Sequence, residues 1–226
     1  MNIWRPFLQT WSSKQKSTAI QALEEPRTAH VMQQYIQRLQ QWNKKVRLTG
    51  KDDPQSLWMH IIDSLIALPL FQTTTDLDAE ASVSPAVSVR STYKALDIGS
   101  GAGFPAIPLS ICAAHGEWTL LESRQRRASF LQQTCRQLQC NAQVQTLFFS
   151  EQQQPTNGPF DIVTFRAVAP NKILEALPQI LSPNGLVLYW GTSQSPTFPS
   201  PFQCREVIPY SLDDAQQLRL YIYCIS

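Results

Sequence analysis

The stretch that decides the fold reads Ala95-Leu96-Asp97-Ile98-Gly99-Ser100-Gly101-Ala102-Gly103-Phe104-Pro105. A short apolar run ends at Asp97, three alternating glycines follow, and an apolar helical pattern begins at Ala106. Glycines in this place let the backbone turn sharply and approach a ligand closely, and the next helix start offers free N–H groups. The spacing differs from the G-x-G-x-x-G of dinucleotide sites, which would need glycine at Phe104, and it lacks the Gly-Lys-Ser/Thr of a P-loop.

Two carboxylates define the ligand that this turn suits. Asp97 favours a ligand with a cationic amino group and a sulfonium, and it repels a pyrophosphate. Glu122 follows the next predicted strand, 19 residues after Gly103, where a carboxylate can accept both hydroxyls of a ribose. The pattern D-x-G-x-G-x-G at Asp97–Gly103 resembles motif I of class I S-adenosylmethionine-dependent methyltransferases. We therefore expect the methyl donor to bind here.

Outward from the turn, strand-like runs alternate with helical stretches. The predicted strands are residues 95–98, 118–121, 144–149, 160–165 and 186–190, and the predicted helices are 106–114, 124–139 and 172–181. This alternation indicates βαβ units and a mostly parallel sheet. Residues 206–208 and 218–225 are expected to add an antiparallel hairpin at the sheet edge. The fold class is therefore α/β, a Rossmann-like methyltransferase fold with a mostly parallel seven-stranded sheet and an N-terminal helical extension.

The chain divides into three predicted parts. Residues 1–71 form a basic helical extension, in which Thr28 is expected to cap a long amphipathic helix and Pro54 to lie in the first turn of the next. Residues 72–92 are a linker or insertion rich in Ser, Thr and Ala, and residues 93–226 form the methyltransferase domain with its C-terminal hairpin. A second linker-like stretch, residues 192–201, carries three prolines.

Composition excludes several classes of protein. With 226 residues, 43% of them hydrophobic and 16% charged, the chain can bury a core without staples. It has no apolar run near the ~20 residues that span a bilayer and no signal-peptide pattern, so we expect a cytoplasmic protein without a membrane partner. The five cysteines, an odd number without C-x-x-C or ligand-spaced histidine, predict reduced thiols and neither a disulfide framework nor a metal site.

Charge is distributed unevenly. Residues 1–60 hold nine Lys and Arg against four acids, although the net charge of the whole chain is only +2. This balance fits contact with a polyanion, and it also fits a solvated helical surface. The cluster Lys44, Lys45 and Arg47 is a candidate phosphate-contacting patch. For Arg124, Arg126 and Arg127 a solvated helix face is favoured.

The residues after the fourth predicted strand bear on the acceptor. They read Thr164-Phe165-Arg166-Ala167-Val168, without the (Asp/Asn/Ser)-Pro-Pro-(Tyr/Phe) motif of enzymes that methylate exocyclic amines. No cysteine has the context of a cytosine-C5 nucleophile. A ring nitrogen such as guanine N7 needs no general base, only placement against the methyl group and shielding from water. Many methyltransferases with small-molecule acceptors fit the same observation.

Four blocks of sequence resemble one family. They are Trp42-Asn43-Lys44-Lys45-Val46-Arg47-Leu48-Thr49, His60-Ile61-Ile62-Asp63-Ser64-Leu65, the glycine block at residues 96–109, and Phe160-Asp161-Ile162-Val163-Thr164-Phe165-Arg166-Ala167. Each is similar to a block of the ribosomal RNA small subunit methyltransferase G family, also called glucose-inhibited division protein B. The resemblance covers about residues 30–192, and the pair Pro105 and Pro108 makes it specific.

The resemblance implies N7 methylation of one guanine in 16S ribosomal RNA, with S-adenosylmethionine as cofactor. The partner would be 16S ribosomal RNA or a small-subunit precursor, and we expect a monomer. Arg166 and His60 are the implied catalytic residues, with a structural ion pair of Arg166 (to Asp161 or Glu175) and a core histidine as alternatives. The implied donor-binding residues are Asp97, Gly99, Gly101, Gly103, Phe104, Glu122, Phe148, Phe149 and Arg166.

Three departures from the family pattern keep other functions open. Met59 replaces an arginine, Phe165 replaces a serine, and Trp190 replaces a lysine. One alternative is a methyltransferase with a small-molecule acceptor. Another is a degenerate member that binds S-adenosylmethionine or RNA without turnover.

Overall fold

The computed structural model of the chain describes residues 3–71, 92–113, 115–194, 198–213 and 217–225. The predicted linker at residues 72–92 lies outside these ranges except for Thr92. In the described ranges, no helix has both the length and the apolar character needed to cross a membrane.

The N-terminal region is helical. Its elements are a 3-10 helix at Arg5–Leu8, α1 at Ser13–Glu24, α2 at Pro26–Asn43, α3 at Pro54–Leu65 and a 3-10 turn at Leu68–Leu70. The prediction that Thr28 caps α2 is wrong: the Glu25 side chain accepts the N–H groups of Arg27 and Thr28, so the helix begins earlier. The prediction for Pro54 is confirmed, with Asp53 as the cap.

The strands form one sheet of seven. They are β1 at Tyr93–Ile98, β2 at Gly116–Leu121, β3 at Ala142–Gln145, β4 at Phe160–Arg166, β5 at Leu181–Thr192, β6 at Phe202–Ser211 and β7 at Gln217–Ile225. Their order is β3-β2-β1-β4-β5-β7-β6. The first five are parallel, whereas β7 is antiparallel to both β5 and β6. The predicted mostly parallel sheet and its C-terminal hairpin are therefore confirmed.

Two predicted elements differ from the structure. The third strand ends at Gln145 instead of extending to Phe149, because the chain turns into a reciprocal backbone pair between Ser150 and Gln153. The predicted helix at 172–181 is instead two 3-10 turns, Pro170–Lys172 and Leu177–Gln179. Pro178 lies inside the predicted helix and lacks the N–H that a continuous helix would use there, which favours short turns.

The remaining helices lie beside the first two strands. α4 spans Ala106–Cys112, two residues shorter than predicted, and α5 spans Gln125–Leu138. Alternate strand residues face two hydrophobic clusters: Ala95 and Leu120 belong to the one that includes α1–α5, and Leu96 and Leu121 to the other. The N-terminal helices thus share a core with the sheet.

Candidate active site

The turn after β1 needs its glycines. Gly99, Gly101 and Gly103 have φ of +73°, +57° and +98°, a region that side chains disfavour. A Cβ on Gly99 would also lie 2.7 Å from Cγ2 of Val168. The Ser100 N–H donates to the Leu121 carbonyl at 2.9 Å, which ties the turn to the end of β2. The turn therefore approaches its neighbours more closely than other residues permit.

The Asp97 carboxyl is buried at the carboxyl end of β1, with 1% of the residue exposed. Its Oδ1 accepts a hydrogen bond from the Thr164 hydroxyl at 2.7 Å. Its Oδ2 is buried and has no hydrogen-bond partner within the described part of the chain. Burial raises the pKa of this carboxyl to about 7, although hydrogen bonds and the charge of Arg166 oppose the shift. An orphaned carboxylate oxygen in this position is suited to a cationic ligand.

Glu122 lies directly against the glycine turn. One carboxylate oxygen accepts the N–H of Gly101 at 3.0 Å, and the other accepts the N–H of Arg124 at 2.8 Å. The residue is 5% exposed, and the two backbone donors hold its carboxylate at the end of β2. The structure thus brings together the glycine turn and the acid that the sequence separates by 19 residues.

Aromatic and cationic groups border the other side of the turn. The Tyr35 hydroxyl, on α2, donates to the Ala102 carbonyl at 2.7 Å. The Phe104 ring packs edge-on against Tyr35, and its centroid lies 5.2 Å from that of the His60 ring. The guanidinium carbon of Arg166 lies 5.2 Å from the same Phe104 ring. Phe104, His60 and Arg166 therefore form one group beside the turn.

Arg166, the last residue of β4, is paired with Asp63 of α3. Its Nη1 lies 2.5 Å from Asp63 Oδ2, and the Tyr210 hydroxyl donates to Asp63 Oδ1. The Trp190 indole N–H donates to the Asp63 carbonyl at 2.8 Å. The proposed pairing of Arg166 with Asp161 or Glu175 is therefore wrong. Asp161 instead accepts the backbone N–H of Lys94 at 2.9 Å.

His60 is neutral in this group. Burial and, to a smaller extent, the positive charge of Arg166 lower the pKa of the imidazole to about 4, although Asp63 opposes the shift. Near neutral pH the ring therefore acts as an uncharged surface and hydrogen-bonding group.

The two phenylalanines after β3 lie in different environments. Phe149 is 4% exposed and packs in the core cluster that contains Leu96 and Leu121. Phe148 is 61% exposed. Their role at an adenine ring stays a prediction, and the short β3 leaves only Phe148 accessible from solvent.

Basic side chains gather next to the turn. Lys44, Lys45 and Arg47 are exposed in the loop after α2, which we call the basic loop. Arg127, on the first turn of α5, donates to the Arg47 carbonyl at 3.0 Å. Its Nη1 also lies 3.9 Å from the position of a Cβ on Gly101. The two basic clusters that the sequence analysis treated separately therefore meet beside the glycine turn.

Sequence reasoning missed several residues of the site. Asp63 had a signal, because it follows His60 by three positions and so shares its helix face. Tyr35, Trp190 and Tyr210 had none: Tyr210 lies 147 positions from Asp63 along the chain. Their contacts arise only when the helical region packs on the sheet.

The strand order, the glycine turn after β1 and the carboxylate after β2 define a class I S-adenosylmethionine-dependent methyltransferase fold. A sequence profile of the family described as rRNA small subunit methyltransferase G matches residues 28–196. The chain belongs to this family.

Individual proteins of this family are also similar to the chain. The ribosomal RNA small subunit methyltransferase G of Cereibacter sphaeroides is 32% identical over 169 residues, 72% of this chain and 72% of that protein. The protein of the same name from Synechococcus sp. is 31% identical over 166 residues, 71% of this chain and 60% of that protein. Among solved structures, TrmN from Thermus thermophilus is similar in fold, with a TM-score of 0.50 and 13% identity over 72% of this chain and 49% of that one.

Proposed function

We propose that this protein transfers a methyl group from S-adenosylmethionine to N7 of a guanine in 16S ribosomal RNA. The observation that carries the proposal is the convergence of Asp97, the glycine turn and Glu122 with Arg166 at the carboxyl edge of the parallel strands. Ligands of such sheets bind at this edge. Membership of the rRNA small subunit methyltransferase G family supports the RNA acceptor.

The residues around the turn fit this donor. When bound, S-adenosylmethionine supplies an electrophilic methyl group on a sulfonium centre. Asp97, with its unpartnered buried oxygen, would face the positive charge of the donor, and Glu122 would accept hydrogen bonds from the ribose hydroxyls. The backbone of Gly99 and Gly101 would line the donor without side chains in the way. Phe148, with its exposed ring, would contribute to the adenine side.

The groups beside the turn fit an acceptor that loses no proton. Guanine N7 has a lone pair and no hydrogen, so its methylation needs no general base. His60 has a pKa of about 4 and is neutral, and Arg166 has no lone pair available for a proton. We assign both residues to holding the base: Arg166 as a donor to guanine O6, which leaves the N7 lone pair free, and His60, with Phe104, as ring surface that excludes water.

The Asp63–Arg166 pair fits the charge that the reaction creates. Methylation at N7 leaves a positive charge on the base, and an unneutralised guanidinium beside it would raise the barrier. Asp63 offsets that charge while Tyr210 holds the second carboxylate oxygen. Arg166 can therefore orient the base without repelling the product cation.

Further parts of the proposal concern the partner. The basic loop and Arg127 border the donor turn, and we assign them to RNA phosphates. Residues 1–71 would serve as the RNA-holding extension and residues 93–226 as the methyltransferase domain. The protein would work as a monomer in the cytoplasm, where small-subunit RNA is assembled.

The test is incorporation of labelled methyl groups into ribosomal RNA. RNA from cells with and without the gene is incubated with the protein and labelled S-adenosylmethionine, and nucleosides are analysed. We expect label in 7-methylguanosine only with RNA from gene-deleted cells. Assays on naked 16S RNA and on isolated small subunits identify the form of the substrate. Gly99→Val, which would remove the donor site, serves as the control and should transfer no label.

Two results would contradict the proposal. Label in a nucleoside other than 7-methylguanosine would reject the acceptor atom. No label at all, with donor binding intact by calorimetry, would reject the RNA substrate and direct attention to a small-molecule acceptor or to a binder without turnover.

A further inference from the structure

The C-terminal end of α5 brings two cysteines together. After Leu138 the chain takes a left-handed conformation at Gln139, with φ of +56°. The Cys140 N–H then donates to the Cys135 carbonyl at 2.9 Å. The Gln139 N–H donates to the same carbonyl, so the helix ends in a left-handed cap whose 6→1 bond is that of a Schellman motif. In such a cap the side chains at the Cys135 and Cys140 positions turn toward each other. The backbone therefore sets the spacing of the two thiols.

The thiols interact directly. Both side chains line one cavity. The interaction with Cys135 lowers the pKa of the Cys140 thiol, and the same interaction, together with burial, raises the pKa of the Cys135 thiol. Cys140 is therefore the more nucleophilic of the two at neutral pH.

The pair is reachable from solvent on one side. A surface cavity of about 500 Å³ lies against the end of α5 and the start of β3. Cys140 is half-buried, whereas Cys135 is 3% exposed. The cavity is lined by Gln132, Cys135, Arg136, Gln139, Cys140 and Asn141, among others. A small oxidant entering it would meet Cys140 first, with Cys135 behind it.

We propose that Cys135 and Cys140 are a redox-active dithiol that closes reversibly to a disulfide. A small disulfide such as oxidised glutathione is the oxidant. The Cys140 thiolate attacks one glutathione sulfur, which forms a mixed disulfide and releases one glutathione thiolate that takes up a proton. Cys135 then attacks the Cys140 sulfur, its proton passes to the departing glutathione thiolate, and the second glutathione leaves as a thiol. Two protein thiols are oxidised and one glutathione disulfide is reduced to two thiols.

The other cysteines differ from this pair. Cys204 is exposed, and its thiol donates to the Glu206 carbonyl, so it can be modified by glutathione. Its thiol neighbour is the buried Cys224 on the adjacent strand β7, and burial and that neighbour raise the pKa of Cys204. Burial raises the pKa of Cys112 to about 12, which keeps that thiol protonated. Cys204 therefore provides the matched control.

The test uses the full chain, equilibrated with oxidised and reduced glutathione, alkylated and digested with trypsin. Cleavage after Arg136 separates Cys135 from Cys140, into peptides 128–136 and 137–166, so the disulfide appears as a cross-link between these two peptides. We expect Cys204→Ser to lose two alkylatable thiols and the wild type to lose these two and Cys204. Both proteins should show this cross-link and recover their thiols with dithiothreitol.

Single variants test the order of events. Cys135→Ser should stop at a mixed disulfide of glutathione on Cys140, whereas Cys140→Ser should leave Cys135 unmodified. Donor binding by calorimetry confirms that each variant is folded. The proposal is overturned if both thiols of the wild type remain alkylatable when Cys204 is already glutathionylated, or if the cross-link joins any other pair.

Discussion

Two effects act on the protonation of the Asp97 carboxyl. Burial favours its protonated form, and the positive charge of a bound donor would favour its ionised form. In the free protein its pKa is raised to about 7, chiefly by burial. The sulfonium of the donor keeps its positive charge at every pH. Donor binding should therefore draw the proton from Asp97 whenever the pH is below about 7.

This linkage predicts a pH dependence of donor affinity. Between pH 5.5 and 7 the affinity should rise about tenfold per pH unit and then level off, because binding releases one proton in that window. His60, with its pKa of about 4, does not titrate there. Calorimetry in buffers of different ionisation enthalpy measures the released proton. Asp97→Asn should bind at least ~10-fold more weakly and release none. A pH-independent affinity of the wild type would contradict the assignment.

Gly99 offers a second test at the scale of a residue. Any side chain there faces two obstacles: the backbone φ of +73° is unfavourable for residues other than glycine, and a Cβ would lie 2.7 Å from the Val168 methyl group. We expect Gly99→Ala to weaken donor binding by ~10-fold or more, since each obstacle costs about 1–2 kcal/mol, and Gly99→Val to abolish it. Gly50→Ala is the matched control, because a Cβ at Gly50 would have no other atom within 4 Å in the described part of the chain.

A double variant separates the two obstacles at Gly99. Gly99→Ala combined with Val168→Ala removes the contact but leaves the backbone strain, so donor affinity should recover only in part. Unchanged donor affinity in Gly99→Ala alone would mean that this turn does not form the donor site.

Elements meet at Asp63, where α3 contacts the ends of three strands. Its carboxylate and carbonyl contact Arg166 of β4, Trp190 of β5 and Tyr210 of β6. A substitution that keeps the shape of Asp63 and removes its charge should release Arg166 from its position. If the proposed function is right, Asp63 acts on the reaction through Arg166, as a positioning residue.

Asp63→Asn tests this role. We expect kcat for RNA methylation to fall ~10–100-fold with donor Kd within about threefold, because an unpaired guanidinium loses its orientation and repels the product cation. The free energy of unfolding should fall by about 2 kcal/mol, less than for a fully buried pair because the Arg166 side chain is 18% exposed. Enzyme kinetics, calorimetry and urea unfolding give the three values.

Tyr210→Phe is the control for Asp63→Asn. It removes one hydrogen bond to Asp63 and leaves the ion pair, so it should cost about 1 kcal/mol of stability and change kcat by less than about threefold. If Asp63→Asn lowers stability while kcat stays at the wild-type value, Asp63 is structural only.

These contacts show where sequence reasoning works and where it ends. The glycine turn and Glu122 were predictable, because each follows a strand of the parallel sheet and the carboxyl ends of these strands lie side by side at one edge. The partner of Arg166 was not, because Asp63 lies 103 positions away and its approach depends on how α3 packs. The false helix at 172–181 arose from apolar spacing that Pro178 interrupts, and the left-handed Gln139 that pairs the cysteines has no glycine to signal it.

At the scale of the whole molecule, the basic loop lies beside the glycine turn. The sheet edge holds Asp97 and Glu122, α2 ends in the basic loop, and Arg127 joins that loop to α5. The opposite end of α2 carries Arg27, about 25 Å away for a helix of 18 residues. If the basic loop contacts RNA, removing its three positive charges should weaken RNA binding more than removing three positive charges elsewhere on the surface.

The triple variant Lys44→Ala, Lys45→Ala, Arg47→Ala tests this arrangement. If each side chain contacts one phosphate, the slope of log affinity for 16S RNA against log salt should become shallower by about 2–3, while donor Kd is unchanged. The triple variant Lys14→Ala, Lys16→Ala, Arg27→Ala removes the same charge from α1 and the far end of α2. It should leave the slope within about 0.5 of wild type, because long-range electrostatics alone changes it little. Filter binding from about 50 to 200 mM salt measures both. Equal slopes in the two triple variants would show that net charge, and not the basic loop, holds the RNA.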